Sequence, residues 1–295
     1  MNRTFTSESK YPQWLDREEY PFTSNYIQLP VGRMHYVDHG EGDPIVMVHG
    51  NPAWSFEYRK LIRKLSETHR CIAMDHIGFG LSEKPKKWNY LPAEHAINFE
   101  ILMDKLDLSN ITLVVNDWGG PIGLAYAIKY PEKFKRLIIL NTFLWPVRKV
   151  AHFKAFSYLM GSKLGKYLIL NHNFFGKVVI KFVVGYRKHL HKAIHRHYYQ
   201  HLGTKSDRIG SYVFPREIIG SSDWLESLWQ DRKKINHLPT TFIWGMKDPA
   251  FRPAELDKWI RNWDAAKVIK LEEAGHFPQE EAPWQVIEAI KSEVT

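Results

Sequence analysis

The stretch VVNDWGGPIGLA, Val114–Ala125, decides the fold. With Ile111-Thr112-Leu113 before it, its first part reads as a strand, ITLVVND. Gly119 and Gly120 let the backbone turn sharply and pack closely, and Pro121 stands in the first turn of the helix that follows, where a missing N–H costs little. The segment reads as strand, tight turn, helix. Asp117 sits at the tip of that turn, at a helix N-terminus whose dipole favours an ionised carboxylate. Two readings stay open locally. One is an aspartate N-cap; the other is a nucleophile presented at a sharp elbow, although Val115 stands where the strict glycine-x-serine-x-glycine pattern has its first glycine.

Outward from this segment, strand-like and helix-like runs alternate. SNYIQLP and GRMHYVDHG look like an antiparallel pair, and PIVMVHG is a continuous apolar run, as expected of a strand covered on both faces. A helix over Ser55–Ser66 follows, with Phe56, Tyr58, Leu61, Ile62 and Leu65 spaced for one face. The strand CIAMD, a loop, a helix from Ala93 to Leu106 and, after the elbow, the strand RLIILN continue the pattern. Residues 142–216 interrupt it with helix formers, aromatics, Lys and His. TTFIWG, a helix near Ala254–Trp263, KVIKL and a helix from Trp284 then resume it. The pattern predicts a mostly parallel sheet flanked by helices (residues 1–141 and 217–295) with an inserted helical cap (142–216), and a site at the carboxyl ends of the strands.

The 295 residues suit one such domain with an insertion, and 44% hydrophobic with 25% charged residues is ordinary for a globular chain. The N-terminal residues carry no signal-peptide run, no stretch is long enough to span a bilayer, and the one cysteine, Cys71, excludes an intramolecular disulfide. A cytoplasmic protein is the expectation. Cys71 lies in an apolar strand with no electropositive setting, so it reads as core.

Four loops after strands bring polar or small residues to one edge: HGNP, NDWGG, GMKD and AGHF. In chain order they offer a nucleophile, an acid and a histidine (Asp117, Asp248 and His276), the order of a hydrolase triad. Asp257 and Asp264 are rival acids in or after a helix. Together HGNPAWSFEYR, DHIGFGLSEKP, NDWGG, WGMKD and GHFPQEE resemble the haloalkane dehalogenases of the α/β-hydrolase fold, over nearly the whole chain and least across residues 142–216.

The resemblance implies an α/β-hydrolase fold with Asp117 as nucleophile, His276 as base, Asp248 as acid, and Asn51 with Trp118 as the halide-binding pair. One branch of that family carries a Glu after the sixth strand. Asn141 stands there, and the Asn51–Asp248 combination looks like the third subfamily. The implied substrate is a small apolar halogenated compound, with water consumed and halide released, and no cofactor or metal is needed. Phe143, Trp145, Phe153, Phe156 and Phe277 are the expected pocket residues.

The chemistry suits the residue types. An aspartate is ionised at neutral pH and displaces a leaving group from saturated carbon without prior proton loss, so histidine is needed only to hydrolyse the resulting ester. Epoxide hydrolases are the nearest rival. They share the Asp-Trp-Gly elbow and need lid tyrosines, for which Tyr158, Tyr167, Tyr186, Tyr198 and Tyr199 are available, but they usually carry an aromatic residue where Asn51 stands. Coelenterazine luciferases, cofactor-free oxygenases of the same fold, are a rival of another class, disfavoured by Asn141. A binding protein on a decayed scaffold is disfavoured by the complete Asp117, His276 and Asp248 set.

The formal charge of +9 is uneven: no Asp or Glu occurs from Thr142 to Ser206. No nucleic-acid recognition motif accompanies it. KYLILNHNFFGKVVIKFVVG mixes cationic and apolar residues, which suits an oligomer contact, a peripheral contact with an anionic membrane, or a solvated cationic lid face. His191 and His195 have helical i, i+4 spacing, but no third metal ligand is identifiable.

Overall fold

The computed structural model describes residues 11–185, 190–264 and 266–294. Among these, eight strands form one sheet in the order β1-β2-β4-β3-β5-β6-β7-β8. β1 (Ser24–Leu29) and β2 (Gly32–His39) are the expected antiparallel pair, and β2 also runs antiparallel to β4 (Arg70–Met74). From β4 onward, through β3 (Pro44–Val48), β5 (Ile111–Asp117), β6 (Phe134–Thr142), β7 (Thr240–Gly245) and β8 (Ala266–Leu271), every pairing is parallel. Every residue of β3, β5 and β7 is buried, the physical reason their sequences are unbroken apolar runs rather than alternating ones.

Helices cover both faces. After a short 3-10 turn at Ser55–Tyr58 comes α1 (Arg59–Leu65), so the expected single helix is two pieces. α2 (Pro92–Leu106) packs on α3 (Gly119–Lys129), and α12 (Pro283–Val294) packs on α1. Between β6 and β7 lie α4 (Ala151–Gly161), α5 (Lys163–His172), a π turn (Phe175–Val179), α6 (Ile180–Val183), α7 (Lys192–Gln200), α8 (Ile209–Gly220) and α9 (Ser222–Asp231). α4 packs along α8, whereas α9 packs on α3 of the sheet layer; α8 runs through residue 216, the boundary expected for the insertion. α10 (Pro253–Ile260) follows β7, and α11 (Pro278–Glu281) follows β8 after a loop. No helix among the described residues is long and apolar enough to cross a membrane.

Three histidines tie the helices between β6 and β7 to the rest of the molecule. His152 of α4 donates from Nε2 to the Ala250 carbonyl at 3.0 Å. Beyond α7, His201 accepts from the Gly80 N–H at 2.9 Å through Nδ1 and donates to the Pro52 carbonyl at 3.1 Å through Nε2. His197 accepts from the Asp16 N–H at 3.0 Å and donates to the Ala193 carbonyl at 3.0 Å.

Candidate active site

The elbow is built by close backbone approach. Asp117 ends β5 with φ +50°, in the left-handed region that side chains rarely adopt. A Cβ on Gly119 would stand 1.9 Å from the Val48 carbonyl oxygen, and one on Gly120 2.0 Å from Thr142 Oγ1, so only glycine permits α3 to start this close to β3 and β6. The Thr142 hydroxyl donates to the Asp117 carbonyl.

The Asp117 carboxylate accepts from the Asn51 backbone N–H at 3.0 Å and from the backbone N–H of Trp118. Burial pushes its pKa up from the usual carboxylate range, against the opposing pull of the His276 charge and these two N–H donors. His276 Nδ1 meets Asp248 Oδ2 at 2.9 Å. Burial opposes a charge on this imidazole, but Asp248, through its charge and its hydrogen bond, and Asp117 outweigh it and push its pKa up to about 9. Asn141 Nδ2 donates to the same Asp248 oxygen at 3.0 Å, while Asn141 Oδ1 accepts from the Gly245 N–H at 2.7 Å. Asn141 at the end of β6 therefore orients the Asp248 carboxylate in the loop after β7.

Asp117, His276, Asn51 and Trp118 line one cavity of about 520 Å³ together with Phe143, Phe153, Phe156 and Phe277. Asp248 lies behind His276 rather than in the wall. No protein acceptor engages Trp118 Nε1 or Asn51 Nδ2 among the described residues, and both residues line the apolar chamber beside the Asp117 carboxylate. The expectation for Trp145 is corrected. Its indole is absent from the wall and sits edge-on to Trp229 and Trp259, with centroids 5.1 and 5.2 Å away, because the chain leaving β6 turns into the core before it reaches α4.

Several residues escaped the reading of the sequence. Phe251 stacks on the His276 ring at 5.6 Å and lines the cavity, three residues beyond Asp248 in a loop whose lack of periodicity gave no signal. Leu159, Val178 and Phe182 form its outer wall. Glu57 is fully buried with both carboxylate oxygens unpartnered. Burial holds its pKa well above the usual range, and Tyr58 and Gln279 lie within hydrogen-bond reach.

Of the other singled-out residues, His191 accepts from the Ala193 N–H as a helix cap, and His195 donates to the Gly176 carbonyl at 2.8 Å. Cys71 is buried in β4, which pushes its thiol pKa up to about 12. Tyr158 and Tyr167 are exposed, Tyr198 donates to Glu280 at 2.7 Å, and Tyr186 lies outside the described residues. Among the described residues no tyrosine lines the cavity.

Residues 43–283 match the model of the alpha/beta hydrolase fold family. Haloalkane dehalogenase 2 of Mycobacterium tuberculosis is 37% identical over 277 residues, 93% of this chain and 96% of that protein. The cis-3-alkyl-4-alkyloxetan-2-one decarboxylase of Shewanella oneidensis is also 37% identical, over 93% of this chain and 89% of its own length. Among solved structures, haloalkane dehalogenase DbeA from Bradyrhizobium elkani superposes with a TM-score of 0.81, covering 92% of this chain and 97% of that one, at 22% identity, a likeness of fold.

Proposed function

The chain belongs to the α/β-hydrolase fold family, in the branch that holds the haloalkane dehalogenases, and we propose that it hydrolyses the carbon–halogen bond of apolar haloalkanes through an ester on Asp117. The observation that carries this reading is the Asp117 carboxylate facing an apolar chamber beside two unengaged N–H donors. Asp117 attacks the halogen-bearing carbon, and the departing halide is received by Trp118 Nε1 and Asn51 Nδ2 in a cavity walled by apolar side chains. Ester formation removes the negative charge beside His276. Its pKa then falls from the value near 9 that this charge helps to sustain, so the imidazole becomes a base in the step that needs one. His276, oriented by Asp248 and through it by Asn141, takes a proton from water, which attacks the ester carbonyl. The backbone N–H groups of Asn51 and Trp118, already at the carboxylate, receive the oxyanion. Alcohol, halide and a proton are the products.

The cavity wall supports this reading over epoxide opening, since no described tyrosine reaches it, and Asn141 weighs against a luciferase-like oxygenase. A reducing, cytoplasmic setting is proposed from the lone buried cysteine. A second reading has a specific motive. The Shewanella oxetanone decarboxylase matches as well as the dehalogenase, and the carboxylate released on opening such a ring would meet the same two donors.

Halide release from 1-bromobutane or 1,2-dibromoethane is expected of the wild type and absent from Asp117→Ala, while His276→Phe should accumulate a covalent alkyl adduct seen as added protein mass. Wild-type halide release by Asp117→Ala would end the assignment. Alkene and carbon dioxide from a cis-3,4-dialkyloxetan-2-one, without halide from any haloalkane, would decide for the second reading.

A further inference from the structure

The cavity does not close over. Leu159 of α4, Val178 of the π turn and Phe182 of α6 line it and yet stand 53%, 48% and 65% exposed. They form an apolar mouth in contact with solvent. Leu164 and Tyr167 of the neighbouring α5 are exposed as well, and six of the eleven large apolar side chains exposed among the described residues lie within residues 158–182. The exposed apolar surface of the molecule is thus gathered on one short stretch at the entrance to the site.

Charge is gathered there too. Residues 142–206 carry twelve Lys and Arg with no Asp or Glu, while the rest of the chain is slightly acidic. Lys177 and Lys181 recur one helical turn apart, each directly before Val178 and Phe182, and are exposed. No carboxylate pairs with Lys154, Lys163, Lys166, Lys177 or Lys181 among the described residues. A second copy of this chain would bring the same cationic face to such a patch, setting like charges opposite each other. An anionic bilayer offers what both halves of the patch ask for, phosphate headgroups for the lysines and acyl chains for Phe182, Val178 and Leu159.

We propose that this face docks on anionic phospholipid bilayers with the mouth of the cavity turned to the acyl chains, so that apolar substrate enters from the membrane and not through water. The docking does not depend on the reaction; only the identity of what enters rests on the function proposed above. Flotation of the full chain with vesicles tests it without any turnover. The protein should float with vesicles of equal parts phosphatidylcholine and phosphatidylglycerol, stay behind with phosphatidylcholine alone, and be released by added salt. Lys177→Gln with Lys181→Gln should weaken the partition about 30-fold at an unchanged melting temperature. No flotation with anionic vesicles, or undiminished flotation of the double variant, overturns the proposal. So does a wild-type oligomer in analytical ultracentrifugation that Phe182→Ser dissociates without any vesicle binding, which would assign the face to a second copy. Flotation with no halide release from any haloalkane would keep the docking and dismiss only the assigned reaction.

Discussion

At the scale of single residues, the side chains behind the cavity decide as much as those in it. Glu57 cannot stay ionised cheaply where it lies. Both its oxygens and the Gln279 Oε1 are buried without partners, while Gln279 Nε2 is held by Asn116 Oδ1 at 3.2 Å. A proton on Glu57 turns two acceptors that repel into donor and acceptor, and burial raises its pKa in that direction. Glu57→Gln should therefore keep halide release within a few-fold of the wild type and fold stability within about 1 kcal/mol, and should erase a carboxylic-acid carbonyl band from the infrared spectrum. Loss of activity in Glu57→Gln with that band absent from the wild type would mean that the group works as an anion. On the donor side, Trp118→Phe removes one of the two N–H groups offered to the halide. It should slow ester formation by about 10²–10³, read as the pre-steady-state burst of halide, while leaving hydrolysis of a preformed ester unaffected.

Elements show why some of this was legible and some was not. Parallel strands buried on both faces must be apolar throughout, and short loops at their carboxyl ends must carry what function needs. Asp117, Asp248 and His276 therefore stood out from order and context alone, with Asn51 and Trp118 added by resemblance. Helices 142–216 obey no such rule. A left-handed Asn173 ends α5 and a π turn at Phe175–Val179 precedes α6, so helical spacing did not mark Val178 and Phe182 as wall, and Trp145, equally aromatic, went to the core. Phe143, Phe153 and Phe156 do line the cavity, yet composition gave no means of separating them from Trp145. The elbow itself yields a prediction. Gly119→Ala drives a Cβ into the Val48 carbonyl, a backbone atom that cannot rotate aside. It should cost about 1–3 kcal/mol or more by urea unfolding and abolish halide release through displacement of Asp117.

Taken whole, the molecule joins two bodies of opposite character, a slightly acidic α/β layer and a strongly basic helical layer, and part of the join is made by neutral histidines. His201 accepts a core N–H on one ring nitrogen and donates to the Pro52 carbonyl with the other, so only the neutral form with its proton on Nε2 satisfies both. Burial lowers its pKa to about 3, helped by Lys84 and opposed by Asp75. His49, beneath the Asn51 loop, bridges the Gly50 carbonyl and the His76 N–H in the same way, and burial lowers it to about 4 against Asp75. Both pKa values lie below the unfolded 6.5, so the unfolded chain binds more protons at acid pH. Their contribution is complete above about pH 6.5 and is lost as the pH falls through 4 toward 3. His276 has the opposite sign. Raised to about 9, it adds stability below 6.5 that is lost between 6.5 and 9. The melting temperature should therefore fall on both sides of neutrality for different reasons. His201→Gln separates them, because an amide can accept from Gly80 and donate to Pro52 without titrating. That variant should recover on the order of 1–3 kcal/mol of the stability lost between pH 6.5 and 4 and leave the alkaline limb untouched. An acid limb as steep in His201→Gln as in the wild type would show that this histidine does not govern the join between the layers.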